Sequence, residues 1–346
     1  MRYAPRKKQK QYSGALDLYK QSSWDRARRY ARVFGPVPGV ISYAIKVLRQ
    51  NHFDNLQNGT QSIDPESISA IKLIDLADTL KNPLYFGAAS LFPEEFGKSK
   101  DDRAATLLQI LTPGVFAALL LLTYILRRAQ FATDNKGLKD VIEGEFLLNT
   151  EIGFTLGSEI PEIGMADGTF LGGLRFVALA ALLIKDPSGY EKYREEYPGT
   201  LDPVYERKHF GCDHAQIGAY IIQMFQYTKS PIFHLREALL GMLHSNYTDM
   251  KTMPIWASTI SAFDSLKKDD KLVNFGCLEV SDMEEKVLQS VIKNISIEGS
   301  SFRWLCKEFD HEIPVSRAGE TNIYTDQELN PEDVKIIKDL EGIISN

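Results

Sequence analysis

Apolar residues recur along this chain with the period of an α-helix. The clearest case is the segment 64–81, where Asp64 is placed to cap a helix and Pro65 to occupy its first turn. The apolar side of this segment consists of Ile68, Ile71, Leu73, Ile74, Leu76 and Leu80. We predict an amphipathic helix here, stopped by Pro83.

The same period predicts helices in many other segments. A first group covers residues 22–32, capped by Ser22 or Ser23, and then 40–50, 102–111, 138–160, 168–184 and 214–227. A second group covers residues 231–247, 254–268, 283–295, 300–310 and 330–344. Residues 54–67 are predicted to be a polar loop, and the charged segment 190–199 is predicted to be exposed. No alternating Val/Thr/Tyr run is long enough for a convincing sheet, so we expect an all-α protein.

Two apolar runs require comparison with a membrane helix. They cover residues 115–126 and 170–184, and the second contains Arg175. Both are shorter than the roughly 18–20 uncharged residues that a spanning helix needs. We therefore expect two buried core helices and no membrane association.

Charge is distributed unevenly, although the net charge is only −6. Residues 1–32 hold ten Lys and Arg against Asp17 and Asp25, which gives this head about +8 and the remainder about −14. The head could be a solvated terminus, could dock on its own body or a second copy, or could bind nucleic acid or an acidic partner. Aromatic residues that could stack on bases lie among its charges: Tyr3, Tyr12, Tyr19, Trp24 and Tyr30.

The densest group of reactive side chains lies in the stretch KHFGCDH, residues 208–214. The spacing of five between His209 and His214 does not suit a metal ion, since helical ligands are placed at i and i+4. Cys212 could be a thiolate if a helix N-terminus lowered its pKa. Asp213 is well placed as an N-cap, so the simplest interpretation is the capped start of a helix. Three widely spaced cysteines without a CxxC pair indicate a reducing compartment.

The sequence ERKHFGCDHAQIGAYIIQMF, residues 206–225, resembles the signature of HDOD domains, which are relatives of the HD phosphohydrolases. That family shows the pattern E-R-x-x-F-G-x-D-H-A-x-V-G-A ahead of a helix. The matching residues are Glu206, Arg207, Phe210, Gly211, Asp213, His214, Ala215, Gly218 and Ala219. Upstream, residues 168–193 are similar to the family segment that carries G-L-L-H-D-I-G. Downstream, residues 236–247 are similar to the helix that ends in a His-His pair.

The resemblance also shows where this chain departs from the HD enzymes. Their His-Asp metal pair falls on Arg175 and Phe176, and the earlier ligand histidine falls on Asn149. Of the later histidine pair only His244 remains, beside Leu243. A guanidinium and a phenyl ring cannot hold a cation, so the resemblance implies a retained scaffold without the catalytic metal site.

The resemblance implies an HD/HDOD-like all-α domain at residues 33–270, divided into 33–137 and 138–270. A basic extension, 1–32, precedes it and a helical extension, 271–346, follows. It further implies a bacterial-type, cytoplasmic regulatory protein with no cofactor, which binds a signalling protein or a small ligand. The residues expected to serve ligand binding are Arg175, His214, His244, Asn149, Glu206, Arg207 and Asp213.

Two questions stay open at the level of sequence. Arg175 could form an internal salt bridge, or it could bind a phosphate or carboxylate of a ligand where the metal would sit. The alternative function is an active metal-dependent phosphohydrolase with a rearranged site, which would use His209, His214 or His244 together with Asp213.

Overall fold

The computed structural model describes residues 21–74, 103–133, 137–138, 141–159, 164–197 and 201–225, together with 80–81, 83–85, 88, 302 and 305. Regular structure in these residues is entirely helical, which confirms the all-α expectation. The helices are α1 (Gln21–Ala31), α2 (Gly39–Asn58), α3 (Pro65–Ile74), α4 (Arg103–Ala132), α5 (Leu147–Glu159), α6 (Met165–Lys185), α7 (Pro187–Glu196), α8 (Pro203–His209) and α9 (His214–Met224). A 3₁₀ turn (Arg32–Phe34) follows α1, and a π-helical segment (Val141–Phe146) precedes α5.

Helices α4 and α6 form the centre of the core. Helix α6 packs against α5, α4 and α9, while α4 also contacts α2 and α3. Both helices are longer than the apolar runs seen in the sequence, because they continue into the flanking residues. Within the described residues, these two helices have the length and the apolar composition needed to cross a membrane. The argument from short length was therefore wrong. Their burial inside the fold is confirmed, since 72% and 88% of their most apolar windows are covered by protein.

Glycines allow α5 and α6 to cross with their backbones in contact. A Cβ on Gly172 would lie well under 3.0 Å from the carbonyl oxygen of Asn149. One turn earlier, a Cβ on Gly168 would meet the carbonyl of Gly153 in the same way. Only residues without a side chain permit this approach, so the position of Asn149 relative to α6 is fixed by the backbone itself.

The FGPVPG turn that follows α1 is held against α4. The Arg128 Nε donates to the carbonyl of Phe34 at 2.9 Å, and the Tyr124 hydroxyl donates to the carbonyl of Pro36 at 3.0 Å. Gly35 has φ +73°, a conformation that favours glycine. The break predicted from the prolines and glycines is thus confirmed, and the turn brings α1 onto the core.

Helix α4 bends where the sequence predicts one helix to end and another to begin. Thr112 has φ +60° and ψ 153°, which is not helical, and Pro113 follows it. A proline at this point has no N–H for the ladder and disfavours helical geometry in the residue before it. The two predicted helices therefore occur as one element with a kink.

Some predicted helix boundaries were wrong. Helix α2 continues to Asn58, into the predicted loop 54–67, and ends at Gly59 with φ +63°. The Asn55 side chain organises the chain beyond it, since its Oδ1 accepts from the Ser62 backbone N–H and hydroxyl. The polar residues of this segment therefore form the C-terminal end of a helix and the turn after it, and not a long loop.

At the N-terminus, Ser22 and Ser23 lie inside α1 and do not begin it. The Ser23 hydroxyl donates instead to Gln216 Oε1 in α9 at 2.9 Å. The segment predicted to be exposed around residue 190 is helical, with Tyr190 and Tyr193 buried. The predicted helices at 231–247, 254–268, 283–295 and 330–344 lie outside the described residues, and the division at residues 32 and 270 stays a prediction.

A polar cluster at the kink in α4 was not predicted from the sequence. Arg49 of α2 is buried and forms an ion pair with Asp167 of α6 at 3.1 Å. The His52 ring lies against Gly114, where an added Cβ would be 2.5 Å from Nδ1. Burial and the nearby Arg49 guanidinium lower the pKa of His52 to about 4, against the opposing charge of Asp167.

We predict that Gly172→Ala destabilises the protein by about 3 kcal/mol, at the upper end of the cost of overpacking, because the obstacle is backbone and cannot rotate away. The midpoint of urea unfolding measures this. Gly59→Ala is the control, because nothing lies within 4 Å of its added Cβ. We expect it to lose only about 1 kcal/mol of stability, which is the cost of an alanine in the left-handed conformation. Equal losses in the two variants would contradict the close crossing.

We predict that His52 makes stability fall in acid. Its folded pKa of about 4 lies below the ordinary 6.5, so the folded state binds fewer protons than the unfolded state between these values. The stabilisation is complete above about pH 6.5 and is lost as pH falls through 4, by about 3 kcal/mol. His52→Gln should flatten this slope in urea titrations. An unchanged slope in His52→Gln would refute the assignment.

Candidate functional site

Asp213 caps the N-terminus of α9, as the sequence predicts. Its Oδ1 accepts the backbone N–H of Gln216 at 2.9 Å, and Gln216 Oε1 accepts the backbone N–H of Asp213 at 3.1 Å. This reciprocal arrangement is a capping box, which satisfies two N–H groups at the helix start. Because Gln216 also accepts from Ser23, the cap ties α1 to α9.

The Glu206 carboxylate is the centre of a buried polar cluster. Its Oε1 accepts the Tyr193 hydroxyl at 2.6 Å. Its Oε2 accepts both the backbone N–H of His214 and the His214 Nδ1, each at 2.7 Å. Glu206 is fully buried and His214 is 1% exposed. The carboxylate thus joins α7, α8 and the first residue of α9.

Local capping places Glu206 in this position. Asp202 caps α8, since its Oδ1 accepts the backbone N–H groups of Val204 and Tyr205 at 2.8 Å each. The backbone N–H of Asp202 in turn donates to the Tyr193 hydroxyl at 2.8 Å. The hydroxyl therefore receives one hydrogen bond and donates another, and it fixes the start of α8 against α7.

Arg207 reaches across the turn to the capping carboxylate. Its Nη1 lies 2.6 Å from Asp213 Oδ2, and its side chain is 33% exposed while that of Asp213 is buried. Burial raises the pKa of Asp213, with His214 and Arg207 acting in the opposite direction. Burial together with Glu206 also raises the pKa of Tyr193, so its hydroxyl keeps its proton and remains a donor.

One nitrogen of His214 faces inward without a hydrogen bond. Since the Glu206 carboxylate accepts, Nδ1 carries the proton. Nε2 is buried and finds no hydrogen-bond partner in the part of the chain that the structure describes. Carboxylate, imidazole and N-cap thus form a compact cluster that is closed to solvent.

Cys212 does not have the character of a nucleophile. It is fully buried directly before Asp213. Burial raises the pKa of its thiol, and the nearby Asp213 and Glu206 carboxylates raise it further. The conditional expectation of a lowered pKa at the helix N-terminus was therefore wrong, because desolvation and like charge outweigh the helix dipole.

His209 lies apart from His214, as their spacing suggested. Its exposed ring stacks on Tyr205, with ring centroids 3.9 Å apart and planes at 13°. Of the two histidines in residues 208–214, one is therefore at the surface and the other is buried in the Glu206 cluster.

The remaining predicted residues fall into a separate pair of helices. Asn149 of α5 is 2% exposed, and its amide donates to the carbonyl of Glu145 in its own helical stretch. Arg175 of α6 is 5% exposed, three residues beyond the glycine that touches Asn149. His244 lies outside the described residues. The structure thus joins Glu206, Arg207, Asp213 and His214, and places Asn149 and Arg175 on the α5–α6 pair.

A pocket of about 440 Å³ opens beside the π-helical segment. It is lined by Gly137, Val141, Glu145, Leu183, Tyr190, Glu191, Arg194 and Glu195. Arg194 of α7 forms an ion pair with Glu145, and both side chains are less than one fifth exposed. Since the Glu145 carbonyl accepts from Asn149, this pocket lies one helical turn from a predicted ligand residue.

Metal-ligand groups can be assessed only where the structure describes the side chains. Among those residues, no three of His, Cys, Asp and Glu come together in a way that could hold an ion. The carboxylates of the Glu206 cluster already accept hydrogen bonds from protein donors.

Comparison with known proteins finds a similar fold in a solved structure but no matching family. No family model matches the chain, and no curated protein matches it. A solved structure does match, that of a Shewanella amazonensis protein named "Putative phosphohydrolase". The TM-score is 0.54 at 12% sequence identity, over 81% of this chain and 98% of the other. At this identity the likeness shows the shared all-α fold.

Sequence reasoning missed the two residues that complete the cluster. Tyr193 lies in a segment that its charges led us to predict as exposed, and only a tertiary contact brings it to Glu206. Gln216 is the third residue after Asp213, and this D-x-x-Q spacing is a capping-box signal that could have identified it.

We predict that Glu206→Gln costs about 2–4 kcal/mol of stability, because an amide nitrogen then faces a buried donor. Tyr193→Phe should cost about 1–2 kcal/mol, since it removes one hydroxyl from the cluster. Urea unfolding measures both losses. Glu191→Gln, at an exposed position of α7, should change stability by less than about 0.5 kcal/mol. Losses no greater than this control would rule out the assigned role of Glu206.

Proposed function

We propose that this chain is an HDOD-like regulatory protein of the cytoplasm, without metal-dependent hydrolase activity, which acts by binding a partner protein or a small ligand. The observation that carries the proposal is the use of the polar signature residues inside the fold. The Glu206 and Asp213 carboxylates accept hydrogen bonds from protein donors, and the backbone N–H and Nδ1 of His214 are directed at Glu206.

A hydrolytic metal site needs carboxylates whose lone pairs face an open position for water or substrate. Asp213 instead accepts from Arg207 and Gln216, and Glu206 accepts from Tyr193 and His214. Both carboxylates are 0% exposed. Binding an ion would require the loss of several charge-assisted hydrogen bonds at once.

The residues that the resemblance aligns with metal ligands point the same way. Asn149 donates its amide to a carbonyl of its own helix, and Arg175 places a guanidinium on the adjacent helix. A buried cation at this place disfavours a second cation and favours an anionic group, either of the protein or of a ligand. The pocket beside Glu145 and Arg194 offers a small ligand room one helical turn from Asn149.

The alternative is a phosphohydrolase with a rearranged metal site, which the name of the Shewanella amazonensis protein favours. It would use His209, His214 or His244 with Asp213. Within the described residues, His209 is stacked at the surface and His214 is paired with Glu206, so these two would have to leave their present contacts.

Elemental analysis of the purified full chain tests the proposal, after incubation with Mn²⁺, Fe²⁺ or Mg²⁺ and removal of free ions. We expect less than about a tenth of an equivalent under every condition, since the Glu206 and Asp213 carboxylates already accept protein donors. Hydrolysis of a phosphodiester and of nucleotides, measured on the same samples, should not exceed the buffer rate. One or two equivalents of metal, with turnover that a chelator abolishes, would overturn the proposal in favour of the enzyme.

A further inference from the structure

A column of stacked rings runs from the core to the surface at α8. Tyr193 and Tyr205 stack with centroids 5.1 Å apart and planes at 15°. His209 continues the stack on Tyr205 at 3.9 Å and 13°. Tyr193 is buried, Tyr205 is partly buried and His209 is exposed. The column therefore presents an exposed flat ring whose orientation is fixed by the rings beneath it.

Cationic residues lie next to His209 in sequence and, in α1, close to Gly211 just beyond α8. Lys208 is exposed and Arg207 is one third exposed, and both are neighbours of His209 in α8. Arg26 of α1 is also exposed, and its Nε would lie 3.4 Å from a Cβ added to Gly211, just beyond α8. Helix α1 carries two more exposed arginines, Arg28 and Arg29, and the exposed Arg32 begins the 3₁₀ turn after it.

Helix α1 is held in this place by ring contacts. Tyr30 packs edge-on against Phe210 at 6.5 Å, and Trp24 packs edge-on against Tyr220 at 6.0 Å. These two aromatics of the basic head are therefore used in packing. The exposed stacking face belongs to His209, a residue that the sequence hypothesis of nucleic-acid binding through residues 1–32 did not include.

One acidic residue, Glu196, lies near the tyrosines of this column. Glu196 of α7 acts on Tyr197 and Tyr205, and contributes to the raised pKa of both. It is thus placed beside the ring beneath His209, whereas the side chains next to His209 in α8 are basic. An extended ligand would meet the cations and the imidazole face at the outer end of the column.

We propose that the surface formed by His209, Lys208 and Arg26 binds single-stranded nucleic acid. A base stacks on the outer face of His209, and the adjoining phosphates contact the cations. Free bases of a single strand can reach such a platform, while bases in a duplex are already stacked on each other. An acidic peptide would use the cations but would gain nothing from an oriented aromatic face, so the column favours the nucleic acid.

The test is fluorescence anisotropy of the full chain with a labelled oligo(dT) 15-mer, and with a 15-mer of abasic sites that has the same charge. His209→Ala should weaken oligo(dT) binding about tenfold, the worth of stacking one base, and should leave abasic binding unchanged. His209→Phe keeps a ring and should retain oligo(dT) affinity within about threefold. Val204→Ala, also exposed on α8, is the matched control.

Charge is tested separately. Lys208→Gln should weaken both oligomers and reduce the slope of log affinity against log salt by about 0.7 for a single strand. The proposal is overturned if oligo(dT) does not bind at low salt. It is equally overturned if His209→Ala binds oligo(dT) as wild type does, or if wild type binds the abasic oligomer as tightly as oligo(dT).

Discussion

The arrangement of α7, α8 and α9 depends on one buried carboxylate. Glu206 accepts from Tyr193 in α7 and from the backbone and the ring of His214 in α9. A fully buried carboxylate is costly unless its lone pairs are satisfied, and this one receives three donors. Because those donors come from different helices, any shift of α7 or α9 leaves charge uncompensated. The carboxylate therefore specifies how the three helices meet.

The use of polar side chains in hydrogen bonds within the fold also bears on function. In the sequence, a signature that combines Glu, Arg, Asp and His suggests a set of catalytic residues. In the folded chain, Asp213 closes a capping box, Arg207 neutralises it, and His214 is oriented by Glu206. These roles occupy the carboxylate oxygens of Glu206 and Asp213, which a metal ion would need as ligands. Binding surfaces then come from what remains exposed, such as the end of the ring column at His209.

Local features of the fold could be predicted and long-range ones could not. The cap at Asp213 and the break at Gly35 follow from residues within a few positions, so the sequence pattern reveals them. Tyr193 was missed because its partner lies 13 residues away across a turn, and the charges around it suggested exposure. The end of α2 was missed because Asn55 organises the turn through its side chain, which the polar composition concealed. The pairing of Arg49 with Asp167 joins helices far apart in sequence, which no local period can show.

The most direct measurement is the anomalous difference map of crystals of the full chain soaked in Mn²⁺. If the carboxylates are structural, the map will show no peak within coordinating distance of Glu206, Asp213 or His214, and the hydrogen bonds from Tyr193 and Gln216 will remain in place. A peak bound by Asp213 or His214, with the imidazole turned away from Glu206, would contradict this account and identify the cluster as a metal site.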